Sequence, residues 1–163
     1  MASELDRIEK RVVLRASRER VWRALSRAEE FGAWFGMRVD GEFEPHSTVR
    51  GRMVPTQVDA EVAAQQKPFE GMSFDLFIER IEPMRLFSFR WHPGADPDMG
   101  ADAPTTLVTF ELADAEEGTL LTVTESGFDQ IPIERRAQVF RDNEGGWEIQ
   151  TRLIAKYLAR AQE

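Results

Sequence analysis

The last thirty-odd residues, Gln130 to Glu163, constrain the rest of the chain more than any other stretch. Trp147, Ile154, Tyr157 and Leu158 recur along one side of a single long helix, and Pro132 suits its first turn. About thirty residues rising 1.5 Å each make a rod of roughly 45 Å, long enough to cross a whole sheet. Gly145-Gly146 interrupts the pattern, and each glycine costs about 1 kcal/mol relative to alanine in a helix interior. The pair predicts either a kink or a place where strand side chains or a ligand come close to the helix backbone.

Nearly everything before this helix reads as strands. Arg7 to Ala16 is rich in β-branched residues, with Ile8, Lys10, Val12 and Leu14 in one phase. Ser17 fits an N-cap with Glu19 in the first turn, ahead of Val21, Trp22 and Leu25 at helical spacing. Ser26-Arg-Ala-Glu29 fits a capping box for a second short helix, and Gly32 is expected to end it. Trp34 and Phe35 follow where the chain turns back. Strands are expected near Gly36–Phe43 and Thr48–Val54, with Pro45-His46 turning between them. Pro55 to Lys67 reads as a loop or short helix over the surface, or a flap at a pocket mouth. Met72–Ile81, Leu86–Trp91, Thr105–Leu112 and Thr119–Ser126 complete the strands, and Pro93–Pro104 has loop composition. No helix-length segment separates the later strands, so hairpins and antiparallel pairing are expected. No repeat or boundary divides the chain, and residues 1–163 read as one domain with room for a sizeable core.

A net charge of −8 argues against a general nucleic-acid binder, which needs a basic footprint, and against an anionic membrane surface. No apolar run is long enough to span a bilayer. The N-terminus is charged and lacks a signal-peptide core. With no cysteine, disulfides and thiolate metal sites are excluded, and a cytoplasmic location is the default expectation.

Together these segments form a pattern. Val21-Trp22-Arg-Ala-Leu25 is followed by Trp34-Phe35. Glu82-Pro83-Met-Arg-Leu86 precedes an aromatic strand ending Arg90-Trp91. Thr119-Leu-Leu-Thr-Val-Thr-Glu-Ser-Gly-Phe128 leads to Asn143-Glu-Gly-Gly-Trp147 and Tyr157-Leu158. From about Arg7 to Leu158 the chain resembles the SRPBCC (START/Bet v 1-like) superfamily. The branch is the one related to the C-terminal domain of the activator of heat-shock protein 90 ATPase. The resemblance implies an α+β helix-grip fold: a curved antiparallel sheet wrapped around a long C-terminal helix, with two short helices after the first strand. It also implies an apolar cavity between sheet and helix. Relatives bind lipids, sterols or plant hormones, or cyclise and dehydrate polyketides, but no catalytic motif of those enzymes maps onto this chain. The eukaryotic co-chaperone has an additional N-terminal domain for which this chain has no room, so chaperone activation is not expected.

Phe74, Phe77, Phe87, Phe89, Trp91, Phe110 and Trp147 are numerous for a sheet face. Each one alone is as easily core; as a set on this fold they predict a cavity lining. Trp34, Phe35, Phe74, Phe87, Phe89, Trp91, Phe110 and Trp147 are the candidate ligand-binding residues, with Trp34, Phe35, Trp91 and Trp147 leading. Trp22 reads as plain core. Glu125 shares a phase with Leu121 and Val123, so its carboxylate is expected to point inward. A structural pair with an arginine is its expected role, proton transfer the sharper alternative. His92 is a second acid–base candidate. Neither histidine sits in a metal-binding spacing, and no phosphate loop, nucleophile elbow or dinucleotide fingerprint is present, so no metal and no cofactor are expected. The expected partner is a small apolar or amphipathic molecule. The alternatives are a cyclase- or dehydratase-like enzyme using an ionisable cavity residue, or a co-chaperone-like interaction module with a filled core. A homodimer is compatible with each.

Overall fold

The computed structural model describes residues 7–93 and 103–161. Strand β1 (Arg7–Leu14) leads into helices α1 (Arg18–Ser26) and α2 (Ala28–Phe35), then strands β2 (Met37–Asp40) and β3 (Thr48–Met53). A short helix α3 (Ala60–Gln66) precedes β4 (Ser73–Glu82), β5 (Leu86–Trp91), β6 (Thr106–Ala115) and β7 (Gly118–Ser126), and α4 (Ile133–Ala161) closes the described chain. The strands form one sheet in the order β1-β7-β6-β5-β4-β3-β2, with every neighbouring pair antiparallel. The hairpins supply consecutive neighbours, while the first strand closes against the last. This is the α+β helix-grip architecture expected from the element order.

Alternation decides which face is inside. Ile8 and Leu14, Leu76 and Ile78, Phe87 and Phe89, Val108 and Phe110, and Leu121 and Val123 are all buried on the face that α4 covers. The helix answers with Val139, Phe140, Trp147, Leu153, Ile154 and Leu158. A register shift in β4 between Ile78 and Arg80 restores the inward phase at Ile81, opposite Phe87. Phe77, the apolar residue of the outward phase, packs its ring edge-on against His92.

Local chemistry corrects several boundaries. Ser17 does cap α1, its Oγ accepting from the Arg20 amide at 3.1 Å. Ser26 caps nothing: its hydroxyl donates back to the Trp22 carbonyl at 2.7 Å, and Arg27 stands at the start of α2 without a side-chain cap. Gly32 does not end α2. It lies within the helix, where an added Cβ would stand 2.2 Å from the Met37 carbonyl oxygen, so the returning strand requires its bareness. Gly36 ends the helix instead, at φ +101°. Trp34 and Phe35 therefore occupy the last helical turn. Helix α4 begins at Ile133, after a 3-10 turn over Phe128–Gln130, and runs on through Gly145-Gly146. Most of the expected Pro93–Pro104 loop lies outside the described residues. No helix among the described residues is long and apolar enough to cross a membrane.

Candidate functional site

The aromatic residues divide the sheet–helix interior into two ends. At one end, Phe31 of α2 is the hub. Its ring lies 5.0–6.4 Å from those of Phe35, Phe43, Phe87, Phe89 and Phe110, in mainly edge-to-face contacts. Phe31, Phe87 and Phe89 expose no surface. Trp34 sits behind this cluster, 1% exposed, and donates its indole N–H to the Ala24 carbonyl at 2.9 Å. It ties α2 to α1 and its polar edge is engaged there.

At the other end, Trp91 of β5 and Trp147 of α4 stack with ring centroids 5.8 Å apart, and Phe35 packs edge-on against both. Glu125 of β7 is fully buried between them. Its carboxylate accepts from Trp91 Nε1 at 2.8 Å, Trp147 Nε1 at 2.8 Å, Thr106 Oγ1 at 2.5 Å and Asn143 Nδ2 at 3.0 Å. The expected arginine partner is absent: among the described residues Glu125 has no cationic partner. Burying a carboxylate is costly unless it is paired or hydrogen-bonded. Here four neutral donors occupy a group with about four lone-pair positions. All four donate, so the set matches an ionised carboxylate. Filled in this way, the carboxylate ties β5, β6, β7 and α4 together and has no acceptor position left for a substrate proton.

His92 is not brought to this cluster. It follows Trp91 in sequence but lies against Phe77 on the outer phase, with Nδ1 3.3 Å from the Pro104 carbonyl oxygen. Arg90 also points outward, pairing with Glu79 at 2.9 Å. Phe74 is inward and half-buried, its ring 3.1 Å from where a Cβ on Gly51 would stand. The β4–β5 register puts Phe74 one inward position beyond Leu76, near the end of the sheet to which Trp91 belongs. Trp91 is likewise half-buried.

The rim of this second end is polar and jointly held. The last carbonyls of α2 would be orphaned at its C-terminus. The segment after β3 satisfies them: Thr56 Oγ1 donates to Trp34 O at 2.9 Å, and the Val54 amide to Gly36 O at 3.0 Å. The Phe35 carbonyl accepts from two side chains, Gln66 Nε2 of α3 at 3.2 Å and Gln150 Nε2 of α4 at 3.0 Å. No side chain of α3 is fully buried; Val62 packs partly buried against the core, and these tethers add to that contact. Along α4, Asn143, Gly146, Trp147 and Gln150 share one face. Gly146 is half-buried, yet an added Cβ would meet no described atom within 4 Å. The glycine pair therefore leaves space at the helix surface.

Further along α4, Tyr157 bridges to α1 and α2. Glu30 Oε1 accepts from the Tyr157 hydroxyl at 2.8 Å and from Arg20 Nη1 at 2.7 Å, while the Arg20 guanidinium lies over the Tyr157 ring. Burial pushes the Glu30 carboxyl up, but the hydrogen bonds from Tyr157 and Arg20 and the arginine charge outweigh it, leaving a lowered pKa. Burial, then the bond to Glu30, raises that of Tyr157. Beside this cluster, an open cleft of about 230 Å³ is bounded by Gln57, Val58, Tyr157 and Arg160. Across it, Tyr157 donates to Glu30 and Arg160 to the Gln57 carbonyl. No group of three or more metal-ligating side chains occurs among the described residues.

Asn143, quoted above only as part of a motif, and Thr106, Gln150 and Phe31 are not among the candidate site residues read from the sequence. Thr106 shares the inward phase of Val108 and Phe110, and Asn143 precedes Trp147 by four residues, so pattern alone places both near Glu125. Gln150 has no such signal.

The comparisons with known proteins agree with this architecture. DynU16, a protein in the dynemicin biosynthetic locus, superposes with a TM-score of 0.66 at 23% identity over 94% of this chain. This chain spans only 47% of DynU16, about half its length. Protein MLL2253 from Mesorhizobium loti gives 0.68 at 23% identity, covering 94% of this chain and 97% of that one. The Aha1 dimer from Colwellia psychrerythraea gives 0.62 at 18% identity, covering 89% and 90%. At these identities the likeness is one of fold. Comparison with curated proteins gives no match. The family model described as Activator of Hsp90 ATPase homolog 1-like protein matches residues 15–159. That match spans nearly the whole chain, so the chain belongs to the family of activator of Hsp90 ATPase homolog 1-like proteins.

Proposed function

We propose that this chain, acting as one unit over residues 1–163, binds a small hydrophobic or amphipathic molecule between the sheet and α4. Of the candidate lining, Trp91, Trp147, Phe35 and Phe74 form the contact end, while Phe87, Phe89, Phe110 and Trp34 form the floor and its support. The carrying observation is the contrast at the helix–sheet seam. Trp91 and Phe74 stay half-buried, and open space remains beside Gly146, whereas the phenylalanine end is packed ring on ring. Burying an apolar ligand stem there contributes about 25 cal/mol per Å² before the costs of association. A cyclase- or dehydratase-like role for Glu125 is disfavoured because its lone pairs are already taken by four donors.

Native mass spectrometry of freshly purified protein, compared with the denatured mass, tests the reading. An adduct that vanishes on denaturation and is lost in Trp147→Ala is the expected result. An adduct that survives Trp147→Ala unchanged would place the ligand elsewhere. The same spectrum reads the oligomeric state, where we propose a homodimer by analogy with the dimeric Colwellia protein.

A further inference from the structure

Resting on that cavity reading, we infer that the ligand is not an anion and carries a hydroxyl or N–H group that donates to Gln150 Oε1. Gln150 donates its Nε2 to the Phe35 carbonyl at 3.0 Å. That carbonyl can only accept, so the bond fixes which way the amide points. The other end of the amide, Oε1, is buried and meets no donor among the described residues. A buried acceptor without a donor is costly and rare in native proteins. Gly146 lies four residues earlier on the same helix face, and no described atom stands within 4 Å of where its Cβ would be. Trp147 lies between them in sequence and stacks on the half-buried Trp91, so an apolar body has an aromatic wall to lie against.

The charge of the ligand follows from Glu125. Its carboxylate is fully buried, and no cation stands beside it among the described residues. An anionic ligand against Trp91 and Trp147 would meet that charge across a medium of low dielectric. A cation would be attracted by the same charge, although four donors already fill the lone pairs of Glu125. An uncharged or cationic donor is the group that Gln150 Oε1 accepts without that penalty.

Three probes with one flat apolar body separate these features by calorimetric titration: 2-naphthol, 2-methoxynaphthalene and 2-naphthoate. The naphthol should bind about tenfold or more tighter than the ether, and the anionic naphthoate weakest. Gln150→Met, which keeps the shape and removes the acceptor, should bring the naphthol and ether together. Gly146→Leu should weaken both by about tenfold or more by filling the space. In the unmodified protein, the Gln150 side-chain amide resonance should shift with naphthol, a measurement that needs no variant to fold. Equal binding of naphthol and ether, or naphthol binding that leaves that resonance in place, overturns the donor assignment and leaves the cavity standing. Binding by none of the three overturns both.

Discussion

The two ends of the interior hold together by different rules. At the phenylalanine end, Phe31, Phe43, Phe87, Phe89 and Phe110 touch one another through ring edges and faces, and stability there scales with area removed from water. At the indole end, Trp91, Trp147, Thr106 and Asn143 converge on one carboxylate, and stability depends on matching donors to acceptors. Apolar packing tolerates a near miss by repacking. A polar cluster counts, and a group left over stays left over. The indole end has such a remainder in Gln150 Oε1; the phenylalanine rings have no polar atom to leave over, although Ser88 Oγ, between Phe87 and Phe89 in sequence, is also buried without a partner among the described residues. The same fold thus contains a set of rings that is complete in itself and a polar cluster that is complete only with a further donor.

The largest effect should come from Glu125→Leu. It leaves two indole N–H groups, an amide and a hydroxyl buried without an acceptor, at about 1–3 kcal/mol for each group that finds no other partner. A loss of about 5 kcal/mol in denaturant-induced unfolding is expected. A variant as stable as the parent would mean that the carboxylate does not hold that end. Phe87→Ala should cost somewhat less, about 4 kcal/mol, through the cavity it opens in a ring-packed site. A cost below about 1 kcal/mol there would erase the distinction between the two ends, because it would require loose packing.

A second carboxylate sharpens the comparison. Glu30, unlike Glu125, has a cation beside it. Its lowered pKa means that its stabilisation is present above the ordinary glutamate value of 4.5 and is lost as pH falls through the lower folded value. Tyr157, whose pKa is raised, contributes below 10.0 and loses that contribution as pH rises towards its folded value. Tyr157→Phe should therefore cost about 1 kcal/mol near neutral pH and flatten both limbs of a stability-against-pH curve. Unchanged limbs would show that the bridge between α4 and Glu30 contributes nothing measurable.

The strands were legible because their chemistry is local. Period-two alternation marks Phe87, Phe89, Val108 and Phe110 wherever the strand ends up, and hairpin-length connections leave antiparallel pairing as the economical choice. The terminal helix was legible for the same reason at period 3.6. What failed at the helix ends depended on where the chain folds back on itself, even over a few residues. Gly32 looks like a helix stop until Met37 passes over it, and Ser26 looks like a cap until its hydroxyl turns back to Trp22. At the candidate site the aromatics and the inward phase of Glu125 could be read directly. Its neutral partners could not, since an arginine is the commoner companion of a buried carboxylate, and two indoles from β5 and α4 meet it only in the folded chain. Gln150 was invisible because its partner, the Phe35 carbonyl, lies 115 positions away.

The shared carboxylate also makes the molecule its own gauge of motion. The Trp147 indole hydrogen belongs to the helix and the Trp91 indole hydrogen to the sheet, yet both end on Glu125. Lifting α4 frees the first for exchange with solvent and leaves the second bonded, whereas fraying at the end of β5 does the reverse. Two resonances in one spectrum thus separate a helix that swings from a strand that peels. The exchange rate of the first measures how often the seam opens wide enough to admit a guest.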